Sequence, residues 1–413
     1  MLNVFMKICL INNLYKPFNR GGAETVVELM AEGLNRVGYQ VFIITTKPIL
    51  SKQLEVKPHD SSQQKIYYIS SFYYNLNKLP KFLRIFWHVI DMLDLGSYWQ
   101  VKSILKKEKP DVVITHNLKG VGYLIPLAIK QLKIKHCHYL HDIQLIHPSG
   151  LMIYGREEKI NSWLAKIYQA FCSRLFDSPE VVLSPSRWLL NFHEQKKFFP
   201  LSKKVVLANP TSPYPLLPES YDGVKIRRGS PEGRGEADEE ERGDSEVFRF
   251  LFVGQIERHK GILFLIQAFN QVKEKNCELL IVGTGSLLDK AQKLARENNK
   301  IKFLGWKNID EMWHLADCLI VPSLCYENSP TTIIKAMTFG LPIIAAKIGG
   351  IPELLTVNAG ILFEPADKKD LIDKIYWALN NKSELRKISI AGKEKAKQFN
   401  TDTFIKKLVE LIE

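Results

Sequence analysis

A chain of 413 residues is too long for one ordinary hydrophobic core, and this length predicts two domains. Its 46% hydrophobic and 24% charged residues are typical of a globular protein. No apolar run reaches the roughly 18 residues that a bilayer-spanning helix needs. The apolar N-terminus lacks the basic lead and cleavage site of a signal peptide, and it is more typical of a strand. The six cysteines form no CxxC pair, which indicates reduced thiols in a cytosolic protein and disfavours a zinc site.

The net charge of +13 is confined to one half of the chain. Residues 1–210 hold 28 Lys/Arg and 15 Asp/Glu, whereas the remainder holds 29 residues of each sign. An excess confined to one half indicates that this half meets an anionic surface. The alternative is a solvated face that lysines keep soluble.

Strands and helices alternate in the first half of the chain. Strands are predicted at 4–13, 39–45, 110–117 and 135–142, and helices at 21–38 and 124–133. This alternation predicts a parallel sheet with helical crossovers. The rhythm stops near Pro210, where prolines give way to a stretch of Gly, Arg and Glu with almost no apolar residues. We predict a linker with a disordered insertion at 211–246.

The same alternation restarts at residue 247. It predicts an N-terminal domain at 1–210, a C-terminal domain at 247–395, and a last helix at 396–413 that crosses back to the N-terminal domain. Ligands of open α/β sheets bind beyond the carboxyl ends of the strands, so the cleft between two such domains is the expected site.

Two helix starts in the second domain carry groups that suit a phosphate. In FVGQIERHKGI (252–262), Arg258 and Lys260 stand between a strand and a helix. In VPSLCYENSPTTIIKAM (321–337), Ser329 could cap a helix whose first residue is Pro330, and the amides of Thr331 and Thr332 would point outward. Together they suit a diphosphate ligand, and no GxxxxGK[ST] loop is present.

Glu327 lies just before the second helix start and could accept hydrogen bonds from sugar hydroxyls. The alternative is an ordinary capped helix beside a surface glutamate.

These motifs resemble those of the retaining glycosyltransferases of family 4, also called glycosyl transferases group 1. The resemblance rests on VGQIERHKG (253–261) and ENSPTTIIKAMTFGLPIIAAKIGGIPEL (327–354). It extends to NRGGAETVVELMAEGLNRVGYQVFIIT (19–45), YLHD (139–142) and LSPSRWL (183–189). The resemblance implies the GT-B fold, two Rossmann-like α/β domains facing each other across a cleft.

The resemblance also implies roles for individual residues. Glu327 is similar to the first glutamate of the family's E-x7-E motif, which contacts the donor sugar. Lys260 matches the lysine that holds the donor diphosphate, and Arg258 supports it. Gly21 and Gly22 match the glycine-rich loop that approaches the donor phosphates, and His141 matches a histidine near the reacting sugar. Ser329, Thr331, Thr332 and Lys335 complete the predicted donor-binding set.

The sequence departs from the family pattern at two positions. Gln255 replaces an arginine, which removes one cation, and Lys335 replaces the second glutamate of E-x7-E. In the family that carboxylate accepts hydrogen bonds from the nucleotide ribose, and an ammonium has no acceptor. We expect weakened or altered nucleotide binding.

The resemblance implies transfer of a sugar from a nucleotide-diphosphate sugar to a glycan or lipid-linked acceptor, in cell-surface polysaccharide or glycolipid synthesis. The transfer would need neither metal nor cofactor, because cations and helix-start amides stabilise the leaving diphosphate. A non-catalytic sugar-nucleotide or glycan-binding protein, which Lys335 favours, and a sugar-nucleotide epimerase are the alternatives. Nucleic acid is disfavoured as a partner, since no RRM, KH or zinc-finger pattern occurs.

The basic residues of the first half are interleaved with aromatic side chains in NLNKLPKFLRIFWHVIDML (75–93), and YWQVKSILKKEKP (98–110) adds lysines. This pattern predicts peripheral contact with an anionic membrane through Lys78, Lys81 and Arg84 and their apolar neighbours, at the inner face of the cytoplasmic membrane. The alternative is that these aromatic side chains pack in the domain core.

Overall fold

The computed structural model describes residues 6–18, 21–49, 64–78, 80–211, 247–307, 312–356 and 358–413. The described residues of Met1–Met152, Arg156–Thr211 and Phe399–Glu413 form a first compact unit, and those of Ile153–Gly155 and Ser212–Gln398 form a second. Of the predicted linker at 211–246, only Thr211 is among the described residues. Its amide donates to the carbonyl oxygen of Phe399 over 2.8 Å, within the first unit.

The first unit is built on a parallel sheet whose strand order is β3-β2-β1-β4-β5-β6-β7. Its strands are β1 (Lys7–Ile11), β2 (Gln40–Pro48), β3 (Lys65–Ser71), β4 (Val112–Thr115), β5 (Lys135–Tyr139), β6 (Val181–Ser184) and β7 (Lys203–Val206). Its helices are α1 (Gly22–Arg36), α2 (Lys81–Met92), α3 (Leu95–Glu108), α4 (Ile125–Gln131), α5 (Trp163–Phe176) and α6 (Arg187–Gln195). The central strands are continuous apolar runs because helices cover both faces of the sheet.

The direction of each crossover assigns the helices to the two faces of this sheet. The connection from β1 through α1 to β2 runs one way along the sheet, whereas the connections through α3, α4, α5 and α6 run the other way. Because parallel crossovers are right-handed, α1 covers one face and α3 to α6 cover the opposite face. In agreement, α3 packs against α4 and α4 packs against α5.

The last helix of the chain, Thr401–Ile412, packs against α1 in the first unit. Phe404, Ile405 and Leu408 on its inner side belong to the same hydrophobic cluster as Val27 and Met30 of α1. At Gly33 the two helices approach so closely that a Cβ atom would lie 2.5 Å from the side chain of Ile405.

Helix α2 is fixed to the first unit by a buried carboxylate. Both carboxylate oxygens of Asp91 accept a hydrogen bond from the Gly120 amide, at 2.9 and 3.0 Å, and the side chain is 6% exposed. Burial raises the pKa of Asp91 to about 7, although the Gly120 hydrogen bond and Lys119 both lower it. The inner side of α2 therefore holds a carboxyl group that titrates near neutral pH.

We expect the free energy of unfolding of the wild type to fall between pH 5 and pH 8, and we expect Asp91→Asn to lack the part of this fall that comes from Asp91. The unfolded pKa of an aspartate is about 3.9. Since the folded state holds the proton more strongly, stability from this group is greatest below the unfolded pKa and declines as the pH rises through about 7. The measurement is the free energy of unfolding by urea at both pH values, for wild type and Asp91→Asn. An equal fall in both proteins would contradict the prediction.

The second unit is built on another parallel sheet, whose strand order is β10-β9-β8-β11-β12-β13. Its strands are β8 (Phe248–Val253), β9 (Cys277–Val282), β10 (Ile301–Gly305), β11 (Cys318–Val321), β12 (Ile343–Ala346) and β13 (Ile361–Phe363). Its helices are α7 (Ile262–Phe269), α8 (Leu288–Ala295), α9 (Thr331–Thr338), α10 (Ile351–Leu354), α11 (Lys368–Asn380) and α12 (Lys382–Ala396), and the helix Thr401–Ile412 of the first unit is α13. The predicted α/β fold class, with two parallel-sheet domains, is confirmed. No helix in the described ranges is both long and apolar enough to cross a membrane.

Candidate functional site

Two loops meet at the carboxyl edge of the second sheet because β8 and β11 are neighbouring strands. The loop after β8 leads through the short 3₁₀ helix Arg258–Lys260 into α7, and the loop after β11 leads into α9. Gly261 has a φ of +75°, and a Cβ atom there would lie 1.7 Å from the carbonyl oxygen of Pro322. Only glycine allows this approach, and the Leu324 amide then donates to the His259 carbonyl oxygen over 2.9 Å.

The close approach of the loops joins Lys260 to Glu327. The Lys260 ammonium donates to Glu327 Oε1 over 2.6 Å, and the Ser323 hydroxyl donates to the same oxygen over 3.0 Å. The side chains of Lys260 and Glu327 are 30% and 15% exposed. Among the described residues, the side-chain hydrogen bonds to this carboxylate all reach Oε1, so Oε2 keeps its acceptor capacity.

The backbone of Glu327 is fixed from the opposite side by the glycines after β12. The Gly350 amide donates to the Glu327 carbonyl oxygen over 2.7 Å. Gly349 has a φ of +62°, and a Cβ atom there would lie 2.1 Å from that oxygen. The Glu327 loop is further held by Ile153, which forms an antiparallel bridge with Cys325 in the second unit. The carboxylate is thus pre-positioned by backbone packing.

Both members of the ion pair keep their charges at neutral pH. Burial raises the pKa of Glu327, but the adjacent Lys260 ammonium outweighs it, and the net pKa lies below the ordinary value. Burial likewise lowers the pKa of Lys260, and the attraction of Glu327 reverses this, so that its pKa lies above the ordinary value. The pair therefore weakens only when the pH falls through the lowered Glu327 pKa or rises through the raised Lys260 pKa.

Helix α9 begins one residue later than predicted, and the predicted cap is wrong. Pro330, not Ser329, occupies the N-cap position, and no side-chain oxygen caps the helix. The reason is that Pro330 has an extended ψ of 117°, so the helical turn starts only at Thr331. The amides of Thr331 and Thr332 precede that of Ile333, which donates to the Pro330 carbonyl oxygen. Lys335 is a partly exposed residue of this helix.

Arg258 is exposed at the start of the loop that carries Lys260. Its neighbour Glu257 points to the loop after β9, where its carboxylate accepts from both the amide and the hydroxyl of Ser286 at 2.7 Å. Gly283 lies in the same loop, and a Cβ atom there would lie 1.9 Å from the Gly254 carbonyl oxygen. The glycines of this VGTG stretch therefore serve loop packing.

In the first unit, Gly21 and Gly22 mark the start of α1. Gly21 is the N-cap residue and Gly22 is the first helical residue. The Gly21 amide donates to the Glu24 carboxylate over 2.9 Å, which satisfies one of the free amides at this helix start. The loop conformation is thus fixed by Glu24, which is a buried residue.

His141 follows β5 at the carboxyl edge of the first sheet and is paired with a second histidine. His116, which directly follows β4, places Nδ1 2.8 Å from His141 Nε2. Burial lowers the pKa of His141 to about 3 and also holds the pKa of His116 well below its ordinary value. Both rings are therefore neutral at pH 7, and one donates its N–H to the other. His116 is 1% exposed, and its Nε2 has no hydrogen-bond partner among the described residues.

Sequence reasoning missed Ser323, Gly349 and His116. The sequence does indicate two of these residues. Ser323 and His116 are the first polar residues after buried strands, at the sheet edge where ligands bind. Gly349 is indicated only by its place in a GG pair, which is typical of a turn and does not by itself indicate a site. Within the described ranges, no group of three His, Cys, Asp or Glu side chains could hold a metal ion.

Comparison with known proteins assigns both halves of the chain to one family. The family model for Glycosyltransferase Family 4 matches residues 20–213, and the model for Glycosyl transferases group 1 matches residues 234–395. The two matches lie side by side and together cover most of the chain.

Individual relatives and a solved structure agree with these matches. An uncharacterized 42.6 kDa protein in the cps region of Klebsiella pneumoniae is 24% identical over 87% of this chain and 90% of its own. The UDP-Gal:alpha-D-GlcNAc-diphosphoundecaprenol alpha-1,3-galactosyltransferase of Escherichia coli is 26% identical over 62% of this chain and 63% of its own. The structure of Anabaena HepE in complex with UDP and glucose superposes with a TM-score of 0.69 over 98% of each chain, at 17% identity. The chain belongs to the family 4 glycosyltransferases and has the GT-B fold.

Proposed function

We propose that this protein is a retaining, metal-independent glycosyltransferase that moves a hexosyl group from a nucleotide-diphosphate sugar to a hydroxyl of a glycan or lipid-linked acceptor. The observation that carries the proposal is the Lys260–Glu327–Ser323 cluster beside the start of α9. A cation and free amides suit a diphosphate, and a carboxylate with a free acceptor oxygen suits sugar hydroxyls.

Each group has a role in the proposed step. As the bond from C1 of the sugar to the diphosphate oxygen breaks, the leaving diphosphate takes the electron pair. Lys260, supported by Arg258 and the amides of Thr331 and Thr332, stabilises the negative charge that develops there. Glu327 Oε2 accepts hydrogen bonds from the donor sugar. The acceptor oxygen bonds to C1 on the face that the diphosphate leaves, and its proton passes to the departing phosphate oxygen.

The first unit supplies the remaining groups in this proposal. The resemblance assigns Gly21 and Gly22 to the donor phosphates and His141 to the reacting sugar, and within the first unit His141 is a neutral imidazole that His116 orients. The E. coli relative acts on a diphosphoundecaprenol-linked sugar, and HepE binds UDP and glucose. These names support a lipid-linked acceptor, polysaccharide synthesis and a uridine diphosphate donor. The proposal includes cytoplasmic location and peripheral contact of the basic first unit with an anionic membrane.

A panel of UDP-, GDP- and ADP-sugars tests the proposal through thermal unfolding. We expect the sugars of one nucleotide base to raise the melting temperature, because a ligand that binds only the folded state stabilises it. Glu327→Gln should reduce this rise. A panel without any rise would contradict the donor site.

A second candidate function is sugar-nucleotide binding without transfer, and Lys335 in place of the motif glutamate favours it. Incubation of the stabilising donor with a lipid-linked glycan fraction separates the two. Transfer gives a glycosylated acceptor whose new linkage keeps the donor's anomeric configuration, whereas a binding protein gives no product. Conversion of the donor without acceptor would instead identify an epimerase.

A further inference from the structure

Helices α3 to α5 form a layer on one face of the first-unit sheet, and α2 directly precedes α3 in the chain. These four helices carry many exposed apolar side chains. On α5 the side chains of Trp163, Leu164, Ile167 and Phe171 are exposed, Trp163 by 69%. Three of them, Trp163, Ile167 and Phe171, follow at intervals of four residues and share one side of the helix. The opposite side of α5 is also filled, since Ala165, Gln169, Cys172 and Phe176 are buried. Helix α5 is therefore apolar on both its inner and its outer side.

Helix α2 repeats this arrangement. Trp87 and Asp91 anchor its inner side, whereas Phe86, Val89 and Ile90 are exposed, Ile90 by 67%. The side chains of 77–79 and 81–85, among them Lys78, Lys81 and Arg84, lie outside those that the structure describes. Trp87 therefore packs inside the first unit, as the core interpretation predicts, whereas Phe86 is exposed. Membrane contact through this segment stays a prediction.

Helices α3 and α4 also carry exposed apolar side chains. Both lie on the same face of the sheet as α5, and α4 packs against α3 and α5. The exposed apolar side chains include Trp99 of α3, which is 61% exposed, and Leu127 of α4, which is 39% exposed. We define the outward side of α2 to α5 as the outer helical face.

The exposed charged side chains described on the helices of the outer helical face have one sign. Helices α2 to α5 contain two carboxylates, and both are buried: Asp91 binds the Gly120 amide, and Glu108 binds the ammonium groups of Lys7 and Lys65. The exposed or partly exposed charged side chains described on α3 to α5 are all cations, namely Lys102, Lys106, Lys107, Lys130, Lys166 and Arg174. Lys130 is paired with Asp177, which follows α5, at 2.6 Å. These helices thus combine exposed apolar side chains with an excess of cations.

The combination of exposed apolar side chains and cations distinguishes between two partners that could cover this face, a second copy of the chain and an anionic bilayer. A second copy of the chain docked on the same face by two-fold symmetry would bring like charges together. An anionic bilayer accepts apolar and tryptophan side chains at its interface and attracts the surrounding cations. We propose that the outer helical face docks on an anionic bilayer, with α5 as an insertion strip in addition to α2. The inference rests on the proposed membrane contact and specifies the surface that makes it.

Sedimentation of the full chain with lipid vesicles tests the inference. The vesicles are phosphatidylcholine alone or phosphatidylcholine with 30% phosphatidylglycerol, and the proteins are wild type, Leu164→Ser/Ile167→Ser and Leu201→Ser. Leu201 is a matched control because it is 87% exposed in the first unit but lies outside α2 to α5. We expect wild type and Leu201→Ser to bind the anionic vesicles, and the double variant to bind about ten-fold more weakly. Binding to neutral vesicles should be weak for all three.

The inference is overturned if wild type does not bind anionic vesicles, or if the double variant binds them as wild type does. It is also overturned if wild type forms a dimer that the double variant loses and neither binds vesicles. We expect wild type and both variants to have equal melting temperatures, because the substituted side chains are exposed. Equal melting temperatures would show that the variants fold as wild type does. The donor panel is run on the same proteins, so loss of vesicle binding with unchanged donor response separates this surface from the donor site.

Discussion

Glu327→Ala and Lys260→Ala will each lower kcat/KM for sugar transfer at least about 100-fold. A 100-fold loss corresponds to about 2.7 kcal/mol of transition-state stabilisation, which is the size expected when one preorganised charged group is removed. The structure makes the two residues one unit, since the Lys260 ammonium lies 2.6 Å from Glu327 Oε1. The effects should therefore be non-additive, and the double variant should lose little more activity than either single variant.

Stability must be separated from catalysis in this experiment. Removing one member of a fully buried pair costs about 3–5 kcal/mol because the other charge is left without compensation. The cost should be smaller here, since the Lys260 side chain is 30% exposed. Glu327→Gln/Lys260→Met removes both charges at similar volume, so we expect it to recover stability without recovering activity. A variant that regains both would show that the pair is only structural.

The matched control is an ion pair on the surface of the same unit. Lys387 and Glu384 lie 2.7 Å apart on α12, three residues apart in the sequence. Lys387→Ala removes an ammonium from an exposed pair of the kind that contributes about 0–1 kcal/mol. We expect it to leave both transfer and melting temperature near the wild-type values.

Near wild-type activity in Glu327→Ala and Lys260→Ala would remove the proposed active site.

The alternation of apolar strands and amphipathic helices was enough to predict two parallel α/β domains. Strands such as β4 and β11 are four-residue runs buried on both faces, and a parallel sheet covered by helices requires such runs. The periodicity of α5 did not show which side would be exposed, because this helix carries apolar residues on both sides. Burial there depends on how far the helical layer extends, which is a property of the tertiary structure.

The residues of the candidate site were easier to predict from the sequence than the contacts between them. Lys260 and Glu327 were both predicted, but they are 67 residues apart and meet only because β8 and β11 are neighbours. In the same way, His116 meets His141 because β4 and β5 are neighbours. Strand order is not encoded by local periodicity. The wrong assignment of Ser329 as a cap has a local cause, since Pro330 fits either the N-cap or the first helical position by sequence alone.

Lys335→Glu will tighten binding of the donor nucleotide about 10- to 100-fold. A carboxylate at this position restores an acceptor for the ribose hydroxyls, and a charged hydrogen bond contributes about 1.5–3 kcal/mol. An ammonium offers only donors. Isothermal titration calorimetry with the nucleotide diphosphate measures the change directly.

Two further substitutions distinguish the ribose from a phosphate as the group near position 335. Lys335→Gln restores a neutral acceptor and should tighten binding by less than Lys335→Glu does. Lys335→Met removes the charge without adding an acceptor, so it leaves binding unchanged if Lys335 does not touch the ligand and weakens binding if Lys335 reaches a phosphate. Weaker binding by Lys335→Glu and Lys335→Met together would overturn the ribose assignment.

Stability and binding should move in opposite directions in Lys335→Glu. Lys335 lies in the last turn of α9, where a cation complements the helix dipole and an anion opposes it. We therefore expect the melting temperature without ligand to fall slightly, by an amount equivalent to about 0.3–1 kcal/mol, and the shift on adding nucleotide to grow. A general effect on the fold would change the melting temperature without ligand and the shift on adding nucleotide in the same direction. Opposite changes would show that the lysine limits nucleotide affinity in an otherwise intact donor site.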